Sequence, residues 1–232
     1  MLVYELPLTI FCKKDIPYIE AGEAAGQLFN KALCLDERFL AYHEEVKDYK
    51  FYGHDLPYPG EADGVYRAGR MCALRLRTVK EELADYFLNH LRGIETDTLR
   101  CIRADIRILP KRIIEKAYSL TPVVVKNYPQ GYWKSCMPVS EFEGRLFGNL
   151  VKKYKHLTEK EIDENFDLYE QIRIKNTKPI RVSYKGIGLL GDKLELVAAK
   201  NEMAQELLYM ALGTGMGENN TCGCGFLNCR WL

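Results

Sequence analysis

The sequence predicts an α+β protein made of two tandem ferredoxin-like (RRM-like) domains. Three observations lead there. Short stretches in each half alternate apolar and polar residues, as half-buried strands do. Two longer stretches in each half carry apolar residues at helical spacing. The order β-α-β-β-α-β, a split βαβ unit, then recurs along the 232 residues. At 47% hydrophobic and 28% charged, the chain has the composition of ordinary globular domains.

The first unit opens with a strand over 2–11. Residues 19–34 place Ile19, Ala24, Leu28, Ala32 and Leu33 on one helical face, and a short helix covers 36–45. Residues 51–56 read as a strand that stops at Pro57 and the Pro59-Gly60 turn signal. Residues 65–77 form the next strand. Thr78 then caps a helix over 79–92, with Glu81 and Glu82 in its first turn. Residues 99–109 alternate, with Ile102, Ala104, Ile106 and Ile108 assigned to the buried face and Arg103 and Arg107 to a basic outer face. The polar stretch 110–118 reads as a connector. The boundary is set near residue 117, giving domains 1–117 and 118–232.

The second unit begins with a short buried strand at 122–127. A helix over 140–154 turns Phe142, Leu146, Leu150 and Val151 inward. Residues 172–174 and 180–184 are expected to pair as one hairpin, followed by a strand over 193–198. Asn201 caps a helix running to about Leu212, and a glycine-rich loop leads to a last strand over 226–231.

No apolar run is long enough to cross a bilayer, and the first residues, MLVYELPLTIFCKK, read as a strand rather than a signal peptide. The eight cysteines are expected to be free thiols in a cytoplasmic protein. Net charge is +1, but its distribution is uneven. From Asp15 to Asp63 eleven acidic residues face four basic ones. The stretches 100–116 and 170–185 are basic. This pattern suits a phosphate-binding face, with solvated strand faces as the alternative. Candidate phosphate contacts are Arg103, Arg107, Lys152, Lys153, Lys155, Arg173, Lys175 and Arg181. Tyr128, Tyr132 and Trp133 are candidates for stacking on unpaired bases, or for core anchors.

The densest motif is Gly213-x-Gly215-x-Gly217-Glu218-Asn219-Asn220-x-x-Gly223-x-Gly225-Phe226. Its order, helix then strand, excludes a dinucleotide-binding turn, and it lacks the Gly-Lys-Ser/Thr of a P-loop. A structural turn or a nucleic-acid contact remains. The Cys222, Cys224 and Cys229 thiols match no common zinc spacing and lack an obvious fourth ligand.

This motif at the end of a ferredoxin-like unit resembles the C-terminal loop of the repeat-associated RNA-binding superfamily. Within it, the closest resemblance is to the sixth Cas family, the CRISPR repeat-processing endoribonucleases. Cys224 stands where that family often has an aromatic. Lys50-Phe51-Tyr52, Gly69 and Leu74-Arg75-Leu76-Arg77-Thr78 resemble its first-domain strands. The resemblance implies cleavage of precursor CRISPR repeat RNA without metal or other cofactor, leaving 5′-hydroxyl and 2′,3′-cyclic phosphate ends. It implies His43 as acid/base and Lys50 as the cation at the phosphorane, with Gly213, Gly215, Gly217, Asn219, Asn220, Gly223 and Gly225 meeting RNA. A homodimer or membership of an effector complex is compatible with it. Where some members carry a tyrosine on the first helix, this chain has Phe29, with Tyr42, Tyr49 and Tyr52 as substitutes. A cleavage-inactive repeat-RNA binder is therefore the alternative. His54 is the rival to His43, although its neighbour Asp55 reads as a turn marker; His90 reads as structural and His156 as a phosphate contact.

Overall fold

The computed structural model describes residues 1–44, 49–127 and 131–232, without the side chain of His43. The first half runs β1 (Tyr4–Cys12), β2 (Ile16–Pro17), α1 (Ala21–Leu33), α2 (Glu37–Glu44), β3 (Tyr52–His54), β4 (Val65–Tyr66), β5 (Met71–Thr78), α3 (Glu81–His90), β6 (Leu99–Ala104) and β7 (Arg107–Ile108). The second runs β8 (Ile114–Ser119), α4 (Val139–Thr158), β9 (Tyr169–Ile174), β10 (Ile180–Tyr184), β11 (Ile187–Gly191), β12 (Leu194–Ala198), α5 (Glu202–Thr214) and β13 (Leu227–Trp231).

The two main sheets are ordered β3-β5-β1-β6 and β13-β8-β12-β9. All their pairings are antiparallel. In each, the first and third strands of the unit are central and the second and fourth lie at the edges, as a split βαβ requires. Alternation decides which strand faces are buried. Leu6, Leu8 and Ile10 of β1 join Leu28 and Phe29 of α1 and Leu83 and Phe87 of α3 in one core. Phe142, Leu146 and Leu150 of α4 and Leu207, Leu208 and Ala211 of α5 build the other. Val3, Phe51 and Val79 of the first half enter that second core, so the halves are fused by apolar packing. The Asn201 side chain accepts from Ala204 N at the start of α5, as its sequence position predicts.

Several expectations need correction. The opening strand of the second unit is β8, not 122–127. Its outer residues Glu115 and Lys116 are half-exposed, which made the stretch resemble a connector. The boundary expected near 117 falls inside β8, and the chain crosses between sheets after β7. Among the described residues, Pro122 begins a segment that forms isolated bridges, Val123 to Asp192, Val124 to Glu218 and Asn127 to Gly131. β10 pairs with β11 rather than β9, because Lys185 and Gly186, both at positive φ, make a two-residue hairpin turn. β9 pairs instead with β12. On β6 the faces are reversed. Cys101 is registered beside Ile10, so Leu99 and Cys101 are buried while Ile102 and Ile108 are 40% and 52% exposed.

Candidate functional site

The glycine-rich segment is a folded bracket at the junction of the two halves. Gly217 and Gly225 have φ of 71° and 66°. A Cβ at Gly225 would lie 1.9 Å from Met216 O, and one at Gly217 would lie 2.6 Å from Val124 O. Asn220 sits at the centre. Its Nδ2 donates to Met216 O (3.2 Å) and Cys224 O (3.0 Å). Lys153 of α4 donates to Asn220 Oδ1 (2.7 Å), Gly215 O (2.9 Å) and Gly217 O (3.3 Å). Burial pushes the Lys153 ammonium down to about 7, although Glu218 favours its charge.

The outer part of the bracket lies on α1. Gly22 and Gly26, one helical turn apart, leave room for backbone carbonyls. A Cβ at Gly22 would be 2.5 Å from Cys222 O, and one at Gly26 would be 2.9 Å from Thr221 O. His54 Nε2 lies 3.2 Å from Thr221 O, and its Nδ1 lies 2.8 Å from Asp55 O. Burial pushes the His54 imidazole down to about 4, against those two contacts. It is therefore neutral near pH 7 and sealed from solvent.

Only the crown of the loop, Glu218 to Cys222, is half-exposed. It borders a cleft of about 330 Å³ with Tyr49, Lys50, Phe51 and Tyr52 on one side and Asn149, Lys126 and Tyr184 on the other. Lys50 is held there by Tyr42 of α2. Its Nζ donates to Tyr42 O, Tyr42 OH donates to Lys50 O, and the ammonium stands 5.0 Å from the Tyr42 ring centroid. Phe51 has φ of 46°, a conformation costly for a bulky residue, and sits beside Lys50. Thr78 Oγ1 and Val79 N donate to its carbonyl at 2.8 and 3.4 Å and hold it in place. The His156 ring is 5.6 Å from that of Phe51 and 5.8 Å from that of Tyr49.

The predicted residues thus separate. Lys50, Asn219 and Asn220 come together at the cleft, with Gly217 below them. His43 lies in the last turn of α2, and its side chain is outside the described residues. Lys153, expected on a phosphate-facing surface, is 3% exposed and bonded to the loop. Gly213, Gly215, Gly223 and Gly225 are buried and serve close packing, so the expectation of an open loop of free amides is corrected. Lys152 is exposed on α4 beside the cleft. Arg103, Arg107, Arg173, Lys175 and Arg181 are exposed but do not line it. Arg107 binds the buried Glu5 carboxylate, and Arg103 pairs with Asp105 at 2.7 Å.

Of the aromatic candidates, Trp133 and Tyr132 take the second of the two roles expected for them, as core anchors. Trp133 is buried and stacks on Phe142 at 4.0 Å. Trp133 Nε1 and Tyr132 OH both donate to the buried Asp192 Oδ2 at 2.7 Å. Tyr128 lies outside the described residues. Phe29 is fully buried against His54 and Phe87, so a hydroxyl at that ring would not open onto the cleft. Cleft residues absent from the sequence candidates include Lys126, Tyr184 and Asn149, the last one helical turn before Lys153 on α4.

Comparison with known proteins adds the family. Residues 109–229 match the family model described as CRISPR associated protein Cas6, C-terminal. No curated protein matches the sequence. A solved structure described as CRISPR associated protein Cas6 superposes with a TM-score of 0.71 at 18% identity, covering 98% of this chain and 99% of that one. A RAMP protein described as binding different RNA substrates gives 0.71 at 15% identity, covering 98% and 99%. The product of a Cas6-related gene from Pyrococcus furiosus gives 0.69 at 19% identity, covering 99% and 98%. These likenesses show a shared fold across almost the whole chain. Because the family match spans more than half of the sequence and takes in the glycine-rich bracket, Lys153 and the flanking α5 and β13, the chain belongs to the Cas6 family of CRISPR-associated proteins.

Proposed function

We propose that the chain cuts precursor CRISPR repeat RNA at the junction cleft without a metal ion. In this reading a ribose 2′-hydroxyl attacks the adjacent phosphate. The 2′-oxygen–phosphorus bond forms as the bond to the 5′-oxygen breaks, giving 2′,3′-cyclic phosphate and 5′-hydroxyl ends. His43 moves a proton at the attacking or leaving oxygen, and Lys50 meets the negative charge that builds on the phosphorane.

The observation that carries the proposal is that Lys50, from the first half, and the crown Glu218 to Thr221, from the second, border one cleft. Lys126 lies on the same rim, paired with Glu218 at 3.8 Å. The left-handed Phe51 fixes the backbone beside Lys50, as preorganisation of a reacting group requires. His54 is excluded as the proton carrier by its burial.

The test is incubation of the cognate repeat with and without EDTA. Cutting persists in EDTA, and His43→Ala slows it about 10²–10⁴-fold while RNA binding remains. Full activity of His43→Ala overturns the assigned role. A cleavage-inactive repeat-RNA binder is the second reading, raised by the sequence at Phe29, although a hydroxyl on that buried ring would not reach the cleft. Tyr49, which lines the cleft, is the tyrosine placed to substitute. Tight binding by the unmodified chain with no product over long incubation selects this second reading.

A further inference from the structure

We propose that the junction cleft is a base-reading subsite, in which one unpaired nucleobase beside the cut is recognised by Asn149 and Asn219. This rests on the RNA-processing reading above. Asn149 Oδ1 and Asn219 Nδ2 are both buried and have no hydrogen-bond partner among the described residues. Both residues line the same cleft. Buried polar atoms are nearly always paired, and leaving them unpaired is unfavourable, so two in one cavity point to a missing ligand.

The contrast with the neighbouring asparagine is informative. Asn220 uses both atoms of its amide inside the bracket, on Lys153, Met216 and Cys224. Asn219, in the left-handed conformation at φ 58°, has no hydrogen-bond partner for its buried Nδ2 among the described residues.

The chemistry of the two orphan atoms selects the ligand. One is an acceptor and the other a donor. A phosphate offers only acceptors and would leave Asn149 Oδ1 unmatched. The edge of a nucleobase carries donor and acceptor side by side, the pattern that asparagine amides read. A volume of about 330 Å³ accommodates such a group. Tyr49 and Tyr184 supply aromatic surface in the walls, and unpaired RNA bases are held by stacking on such rings. Lys50 places positive charge on the same walls for a flanking phosphate, and Lys126 stands there paired with Glu218.

The approach to the cleft agrees with this. A second groove shares Tyr49, Asn149 and Glu218 with the cleft and is lined on α4 by Gly144, Gly148, Lys152 and the Arg145–Glu141 pair. A Cβ on either glycine would meet nothing within 4 Å. Internal packing therefore gives no reason for glycine at two positions inside a helix, where it is unfavourable. The bare turn leaves room for a ribose-phosphate backbone to lie against the helix.

The experiment measures binding and cleavage of the cognate repeat RNA and of repeats with each nucleotide replaced singly. The proteins are the unmodified chain, Asn149→Ala and Asn219→Asp. Asn219→Asp keeps the shape and the tolerated backbone conformation but turns the donor into an acceptor. The unmodified chain discriminates at one nucleotide beside the cut by about 10–100-fold, and both variants reduce this to under about threefold. Discrimination at other positions and the melting temperature stay unchanged. Unaltered discrimination at every position in both variants overturns the subsite, whether or not stability falls. If the unmodified chain neither binds nor cuts any repeat, the RNA-processing reading fails and the subsite with it. Cutting with unaltered variant specificity removes the subsite alone.

Discussion

Arg77→Met should destabilise the protein by about 3 kcal/mol at pH 7, the lower end of the cost of breaking a buried ion pair from one side. Arg77 Nε lies 2.6 Å from Glu5 Oε2, with the two side chains 3% and 0% exposed. Its Nη1 donates across the junction to Leu227 O (2.6 Å) and Leu212 O (3.3 Å). The guanidinium carbon stands 4.5 Å from the Phe226 ring centroid. Methionine keeps most of the stem's packing but leaves Glu5 and two carbonyls without their cation. Arg107 still binds Glu5 Oε1 from the surface, which is why the lower end applies.

The loss depends on pH with a defined sign. Burial raises the Glu5 carboxyl, but Arg77 and then Arg107 more than offset it and hold it below the usual carboxylate value. Burial lowers Arg77 as well, yet an arginine starts high enough to stay charged. In the unmodified chain this pair's contribution is present above the unfolded carboxylate range and lost as pH falls through the folded value. In Arg77→Met burial prevails and the folded carboxyl rises, so that variant loses stability as pH rises through the same range. The gap between the two should therefore shrink at pH 4. Urea unfolding at pH 7 and pH 4 measures it. Replacing both charges, Glu5→Leu with Arg77→Met, should recover most of the loss. A loss below about 1 kcal/mol at pH 7, or an equal loss at both pH values, refutes the reasoning.

Gly22→Ala should cost about 1–3 kcal/mol by overpacking, because the new methyl meets the backbone carbonyl of Cys222 rather than a flexible side chain. Thermal melting gives the loss, and hydrogen exchange at 219–223 should speed up with it. Asp192→Ala strands Tyr132 OH and Trp133 Nε1 and removes one of two acceptors from Asn176 Nδ2, which keeps Lys178 O; all three donate to Asp192 at 2.7 Å. It should cost at least about 2 kcal/mol and shift tryptophan emission to the red. Lys153 supplies a second pH signature. With its folded value at about 7, the folded state holds fewer protons than the unfolded chain between there and the usual lysine value, so stability rises with pH across that window. Lys153→Met should abolish the rise between urea midpoints measured at pH 7 and pH 9.

The order of elements was legible because strands and helices of this chain keep their own periods. The helices α1, α3, α4 and α5 each fall where apolar spacing places them, and Asn201 marks its helix start by side-chain chemistry alone. β8 was missed because Glu115 and Lys116, two of its six residues, are charged and half-exposed. The run Val123–Val125 misled in the opposite direction: it is buried between the bracket and Asp192 without joining either sheet. The burial of Lys153 was partly legible. It continues the inward stripe Phe142, Leu146, Leu150 by one further step of three, but its lysine-rich surroundings suggested a solvated face. The contact of Thr221 and Cys222 carbonyls with Gly22 and Gly26 was not legible at all, since it joins segments about two hundred residues apart and leaves no local pattern.

The glycine-rich segment therefore has two duties that mutation can confuse. Its buried part ties Lys153, Asn220 and the two glycines of α1 into the junction, and the crown borders the cleft on the same few residues. Replacing Gly217 or Gly225 forces a side chain onto a backbone carbonyl, so lost RNA processing in such variants would report a distorted junction as readily as a lost contact. Substitutions that change only the groups bordering the cleft separate the two. Lys50→Ala leaves the bracket bonds intact and should slow cutting more than it weakens binding, because the charge it meets is greatest in the transition state. Asn220→Ala should instead lower the melting temperature first, with any loss of cutting following from that. If Lys50→Ala weakened binding and cutting equally, its ammonium would be holding the RNA rather than stabilising the phosphorane.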